Sequence, residues 1–306
     1  MGRKYLGIDV GGTFLKLGLV DDAGTVSLRR EVPVDRSGSE TVMETMMKGV
    51  DAFLTENGLN AYDLEGIGVS AAGCIDAANG CVAINGGNVP GWSRTQVTGP
   101  LKERYGIDAA IANDGNCVAL AEAWIGAAKG IDDVICVAIG TGVGGGIVSG
   151  GRLIDGVHGF GGEIGHFPTH AEHKPESCDD WSAHYESYAS TAALVRTAVE
   201  ADPALTNGRE IFGAAAAGNE TALKVLDAWM DEIAAGITGL VHIFDPELIL
   251  IGGGVSAQED LLIKPLREKV RNMVQPDFAD GLELKAAALG NDAGMVGAVK
   301  YLMDRK

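Results

Sequence analysis

A carboxylate and an amide, Asn113-Asp114, stand where the apolar stretch Ala109 to Ala112 gives way to a helical pattern running from Gly115 to about Ala128. A carboxylate at the end of a strand can orient an acceptor hydroxyl and take its proton during phosphoryl transfer. The same position also suits a helix cap, and sequence position alone leaves both readings open. Two glycine turns add a second kind of chemistry. The first, Asp9-Val10-Gly11-Gly12-Thr13, follows the strand pattern Tyr5-Leu6-Gly7-Ile8, and the second, Gly140-Thr141-Gly142, follows Val134 to Ile139. Beyond each turn the strand pattern resumes, at Leu17-Gly18-Leu19-Val20 and at Gly146-Ile147-Val148. Each turn would offer backbone N–H groups and a Thr hydroxyl to a polyphosphate. Used twice, the pattern predicts two similar half-domains and an ATP-dependent phosphotransferase. Gly161-Gly162-Glu163-Ile164-Gly165-His166 sets an acid and a base among glycines. That fits recognition of several sugar hydroxyls, or more plainly a loop with a capping Glu.

Other motif readings fail on context. Gly140 to Gly145 matches G-x-G-x-x-G by letters, but strand and turn follow it where a dinucleotide fold needs a helix. No Gly-Lys-Ser/Thr occurs, so a Walker loop is excluded. His166, Cys178 and His184, with His170 and His173 nearby, raise a zinc question. A structural zinc site commonly draws on paired cysteines and this segment has one, so zinc is not expected.

The chain has 306 residues, enough for two domains, and 46% hydrophobic residues, a globular composition. Its net charge of −18 argues against nucleic acid as a partner. The same field repels an anionic nucleotide, so ATP would have to be held by local N–H dipoles and Mg²⁺. Five scattered cysteines form no disulfide framework. With neither a signal-peptide pattern nor a membrane-spanning apolar run, we expect a soluble cytoplasmic protein.

Elements that must position these residues follow from periodicity. Residues 5–35 read as a three-stranded meander with turns at Gly11-Gly12 and at Asp21 to Gly24. A helix runs from an N-cap at Ser39 to about Asn57, and buried strands cover Gly66 to Ser70 and Leu248 to Ile251. The latter leads through Gly252-Gly253-Gly254 into another helix. A long helix covers about Asn219 to His242, and a last one about Asn291 to Met303. The alternation predicts an α/β fold. Its small lobe comprises 1–114 with the C-terminal helix of about 291–306, its large lobe 115–290, with the active-site cleft between them.

In this order and spacing the motifs resemble the ROK family (repressor, open reading frame, kinase) of bacterial sugar kinases and sugar-responsive repressors. The resemblance covers essentially the whole chain. It is carried by Asp9 to Thr13, Gly73-Cys74-Ile75-Asp76, Asn88-Val89-Pro90-Gly91-Trp92, Asn113-Asp114-Gly115-Asn116, Gly140 to Gly145, Gly162 to His166, Glu186-Ser187-Tyr188-Ala189-Ser190 and Gly252 to Val255. It implies a two-lobed actin/hexokinase-like (ribonuclease H-like) fold, each lobe a mixed sheet flanked by helices. It also implies Asp114 as general base and a sugar shell of Gly73, Asn88, Asn113, Glu163, His166 and Glu186. Asp9, Gly11, Gly12, Thr13, Thr141 and Gly142 would line the ATP phosphates and the Mg²⁺ water shell, with Gly253 and Gly254 against the adenosine. Family zinc motifs add three cysteines to the His of Gly-His; here Ser177 to Trp181 and His184 stand in that region, so Trp181, Tyr185 and Tyr188 must order the loop by packing. Phe14 replaces a residue that is often polar, and Ala72 a common Pro. The expected activity is phosphorylation of a hexose, glucose first. N-acetylmannosamine, N-acetylglucosamine, fructose, allose or a β-glucoside are alternatives. A sugar-sensing repressor would carry a helix-turn-helix ahead of the first strand; with that strand read from Tyr5, a repressor is not the expected reading. A homodimer is expected by family analogy.

Overall fold

The computed structural model describes residues 2–85, 89, 91–177 and 180–305. In chain order the first half forms β1 (Lys4–Val10), β2 (Phe14–Asp21), β3 (Val26–Pro33), α1 (Val42–Glu56), β4 (Ile67–Ala71), β5 (Cys74–Asp76), β6 (Cys81–Ile84), β7 (Thr95–Gln96), α2 (Thr98–Tyr105), β8 (Ala109–Asn113) and α3 (Asp114–Ile125). Then come β9 (Val134–Ile139), β10 (Val143–Ser149), β11 (Arg152–Leu153), α4 (Glu186–Ala189), α5 (Thr191–Ala201), α6 (Gly208–Ala216) and α7 (Glu220–Phe244). The chain ends with β12 (Leu248–Gly252), α8 (Lys264–Met273), α9 (Pro276–Ala279), β13 (Glu283–Ala286) and α10 (Ala293–Asp304).

Two five-stranded sheets share one plan. The first runs β3-β2-β1-β4-β8 and the second β11-β10-β9-β12-β13. In each, a hairpin opens the sheet (β1 with β2, β9 with β10), and the hairpin's first strand then pairs in parallel with the next (β4, β12). The half-domain repeat foreseen from the two glycine turns is therefore a repeat of topology.

One compact unit comprises residues 1–130, 153–162 and 289–306. Alternation along its strands sorts the two faces of its sheet. Leu6, Ile8 and Val10 of β1, with Ile67 and Val69 of β4 and Ile111 of β8, pack in one core with Met46, Val50 and Phe53 of α1 and Leu101 of α2. The opposite face gathers Tyr5, Ala110 and Ala112 with Cys117 and Leu120 of α3 and Val296 and Val299 of α10. Asp9 and Ser70 have the parity of this second face. Here α10 lies almost flush on the sheet, because a Cβ on Gly7 would meet the Met295 carbonyl at 2.6 Å and one on Gly68 would overlap that of Ala298. This packing is why α3 belongs to the first unit and the division falls after Gly130, whereas the sequence placed it at Asp114.

The other unit comprises residues 131–152 and 163–288. Its strands β9 and β12 are almost wholly buried, as their runs Val-Ile-Cys-Val-Ala-Ile and Leu-Ile-Leu-Ile suggest for interior parallel strands. Helix α7 buries eleven residues, among them Trp229, Ile233 and Ile237.

Three local expectations change. Thr41, rather than Ser39, caps α1, because Thr41 and Glu44 form a reciprocal capping box. The Ser39 hydroxyl instead donates to Asp35, 2.7 Å away. Helix α3 stops at Ile125, short of Ala128, with Gly126 as its C-cap. Gly252 to Gly254 do not lead straight into a helix: turns follow, then a π-helical stretch Glu259–Ile263 that runs into α8. Among the described residues, no helix is long and apolar enough to cross a membrane.

Candidate active site

In the first unit, chemistry gathers at the C-terminal ends of β1, β4 and β8, the edge where α/β sheets usually carry ligands. Asn113 ends β8 and caps α3, its side chain accepting the Asn116 N–H at 3.1 Å. Its amide donates to the Gly73 carbonyl at 3.1 Å, so both ends of the side chain are fixed. Gly73 sits at φ 104°, and a Cβ there would run into the Ile84 carbonyl. Asn113 is thus the cap, and Asp114, the first helical residue, is left for other work. The Asp114 side chain is open to solvent on one side and crowded by protein on the others. That desolvation, and secondarily the charge of Asp9, push its carboxyl above the ordinary carboxylate range. The Gly115 N–H, 2.9 Å from Asp114 Oδ1, pulls the other way without prevailing. A carboxylate with raised proton affinity is suited to accept a proton.

Asp9 is held just as firmly. The buried Ser70 hydroxyl donates to its Oδ1 at 2.9 Å, and Lys16 Nζ lies 3.6 Å from Oδ2. The next residues make the turn, closed by a hydrogen bond from Gly11 N–H to the Phe14 carbonyl at 3.0 Å, with Thr13 exposed at its tip. Acidic oxygen donors suit a hard cation such as Mg²⁺. Asp9 is the carboxylate in this group of residues that could hold one.

Residues expected at the site from the second half come together within the second unit. Gly140 N–H donates to the Gly142 carbonyl at 2.9 Å, closing the second turn with Thr141 exposed. A Cβ on Gly253 would overlap the Ile139 carbonyl, so the end of β12 lies against the root of this turn. The segment carrying Glu163 and His166 packs on β10, where a Cβ on Gly165 would overlap the Val143 carbonyl. Glu186, first residue of α4, accepts the Val143 N–H at 3.1 Å.

Aromatic packing orders this region. Tyr185 is buried, its hydroxyl donating to the Ile233 carbonyl at 2.9 Å and its ring filling the notch at Gly236 of α7. The Trp229 indole donates to the carbonyls of Ala189 and Ser190, 3.1 and 3.0 Å away, pinning the α4–α5 junction. Trp181 meets His166 edge-on at 4.6 Å, and Tyr188 stacks on His170 at 3.5 Å. Among the described residues no three His, Cys, Asp or Glu side chains are grouped to hold a metal. His166 and His184 stack at 6.0 Å. Cys178 and Asn88 lie outside the described residues.

Several residues around the site escaped the sequence reading. Lys16 could have been found by counting across the hairpin, since a turn at Gly11-Gly12 sets it opposite Asp9. Ser70 follows similarly from the parallel register of β1 and β4. Gly294, whose Cβ would stand 2.5 Å from Asp9 Oδ1, and Thr191, which donates through its N–H and hydroxyl to the Gly140 carbonyl at 2.8 and 2.6 Å, have no local signal.

Twin sheets of this topology, each with a glycine turn after its first strand, define the actin/hexokinase-like class. Within that class the chain belongs to the ROK family, whose profile matches residues 5–305. A glucokinase of Thermotoga maritima is 32% identical over 99% of this chain and 98% of its own. A β-glucoside kinase of Listeria monocytogenes is 30% identical over 99% and 98%. A solved structure of a ROK family glucokinase from Streptomyces griseus, in complex with glucose and AMPPNP, is 30% identical with a TM-score of 0.80, covering 97% of this chain and 98% of that one.

Proposed function

We propose that this chain is an ATP-dependent sugar kinase that converts glucose to glucose 6-phosphate. The carrying observation is Asp114: a carboxyl at the start of α3 with raised proton affinity, freed from capping by Asn113. Asp114 accepts the proton of the sugar hydroxyl while that oxygen attacks the γ-phosphorus in line. The bond to the β,γ-bridging oxygen breaks, and ADP leaves with that electron pair. The two turns, Gly11-Gly12-Thr13 and Gly140-Thr141-Gly142, supply N–H and hydroxyl donors to the phosphates, and Gly253 and Gly254 border the adenosine. Gly73, Asn88, Asn113, Glu163, His166 and Glu186 form the sugar's hydrogen-bonding shell. Asp9 supports Mg²⁺, which when bound offsets the phosphate charge that a protein of net charge −18 would otherwise repel.

A β-glucoside as acceptor is the second reading. It is favoured by the β-glucoside kinase relative and by the His and Trp side chains standing where family zinc motifs place cysteines. The deciding experiment is ADP release over a panel of hexoses, N-acetylhexosamines and β-disaccharides. Glucose should give the highest kcat/KM; a β-disaccharide ahead of it establishes the second reading, and no ADP release with any sugar refutes both.

A further inference from the structure

The carboxylate of Glu186 touches the turn that the proposed function gives to the nucleotide, although that reading assigns it to the sugar. Its Oε2 accepts the Val143 N–H at 3.1 Å, at the exit of the Gly140-Thr141-Gly142 turn. A Cβ on Gly142 would stand 2.5 Å from this oxygen and one on Gly165 3.3 Å, so the carboxylate is wedged between the turn and the segment carrying Glu163 and His166. The entrance of the same turn is held by Thr191, through both donors to the Gly140 carbonyl. Both anchors come from one short stretch, α4 and the first residue of α5, which Tyr185 and the Trp229 indole tie to α7. No other side-chain hydrogen bond reaches residues 140–143 among those seen in the described residues.

We infer that Glu186 is a positioning residue for the nucleotide turn as well as a sugar contact, so that one carboxylate couples the two substrates. The inference rests on the kinase reading above. One oxygen keeps Val143 in place, and a carboxylate has further acceptor capacity that sugar hydroxyls could use. A sugar that fixes this side chain thereby rigidifies the turn, and a bound nucleotide, by linkage, favours the sugar equally.

The test is calorimetric binding of AMPPNP with Mg²⁺ to the sugar-free protein. A Glu186 that served only the sugar would leave this affinity untouched. Glu186→Ala should weaken it by about threefold to tenfold, the worth of one hydrogen bond that orders a turn. Glu186→Gln, whose carbonyl oxygen can still accept from Val143, should restore it while the KM for the phosphorylated sugar stays raised. Unchanged or tighter AMPPNP binding by Glu186→Ala overturns the coupling. If that variant does not fold, Gly142→Ala gives the reciprocal measurement: its Cβ displaces the carboxylate, and sugar affinity without nucleotide should fall severalfold. Unchanged sugar affinity there overturns it too. Wild-type protein that binds no AMPPNP removes the kinase reading, and this inference with it.

Discussion

Asp114 and Asn113 divide between them two tasks that a single residue often performs. Because Asn113 satisfies the cap, Asp114 is free to carry a charge where charge is costly. The consequences for activity and for stability have opposite signs. Asp114→Asn removes the base, and turnover in a coupled ADP assay should fall by about two to four orders of magnitude. A carboxyl whose pKa is higher in the folded than in the unfolded chain subtracts stability as the pH rises above the unfolded value, and does so in full above the folded one. The same variant should therefore melt no lower than wild type at neutral pH, and a melting temperature several degrees lower would contradict the assigned desolvation cost. In the wild type, kcat/KM should drop as pH falls through the raised value, with an acid limb above the range of an ordinary carboxylate. An acid limb at the ordinary Asp value would refute the direction of the shift.

Packing between elements decides how well Asp9 is aimed. Helix α10 meets the sheet through glycines, and Gly294 leaves room for the Asp9 carboxylate. Gly294→Ala sets two effects against each other. Helix propensity favours Ala by about 1 kcal/mol, while its Cβ at 2.5 Å forces Asp9 away from the Ser70 hydroxyl. Displacement of about 1 Å near reacting groups can cost about a hundredfold. Activity should therefore fall by about tenfold to a hundredfold with little change in melting temperature; full activity would mean that Asp9 need not stay where Ser70 holds it. This contact also shows where sequence reading stops. The hairpins, the buried strands and the Asn113-Asp114 junction are local, written in alternation, glycine placement and the switch to helical period, and the structure has all of them. Thr41 was legible too, since Glu44 three residues on completes its capping box, but a serine two residues earlier offered the same chemistry. Gly294 against Asp9, and Thr191 against Gly140, join residues far apart in the chain through backbone proximity. No periodicity records such contacts.

At the scale of the whole molecule, the repeated sheet plan takes the chain out of its first unit more than once, and Glu122 stands beside the first departure and the last return. This buried residue of α3 accepts the Ala127 N–H through Oε2 and the Leu289 N–H through Oε1, each at 2.8 Å. Ala127 lies just before the chain first departs at Gly130, and Leu289 is the residue at which it comes back for the last time, after an intermediate return at 153–162. One side chain therefore satisfies two part-buried donors, one before the chain first leaves the first unit and one where it last returns, and ties these two stretches together within that unit. Glu122→Ala leaves both N–H groups without that acceptor, at about 1–3 kcal/mol each. For a protein of this size each kcal/mol corresponds to roughly 2–4 °C, so the melting temperature should fall by about 4 °C or more. Glu122→Gln, with a single carbonyl oxygen, can keep only one of the two bonds and should lose about half as much. Equal melting of wild type and Glu122→Ala in differential scanning calorimetry would show that the two passages are fixed without this carboxylate.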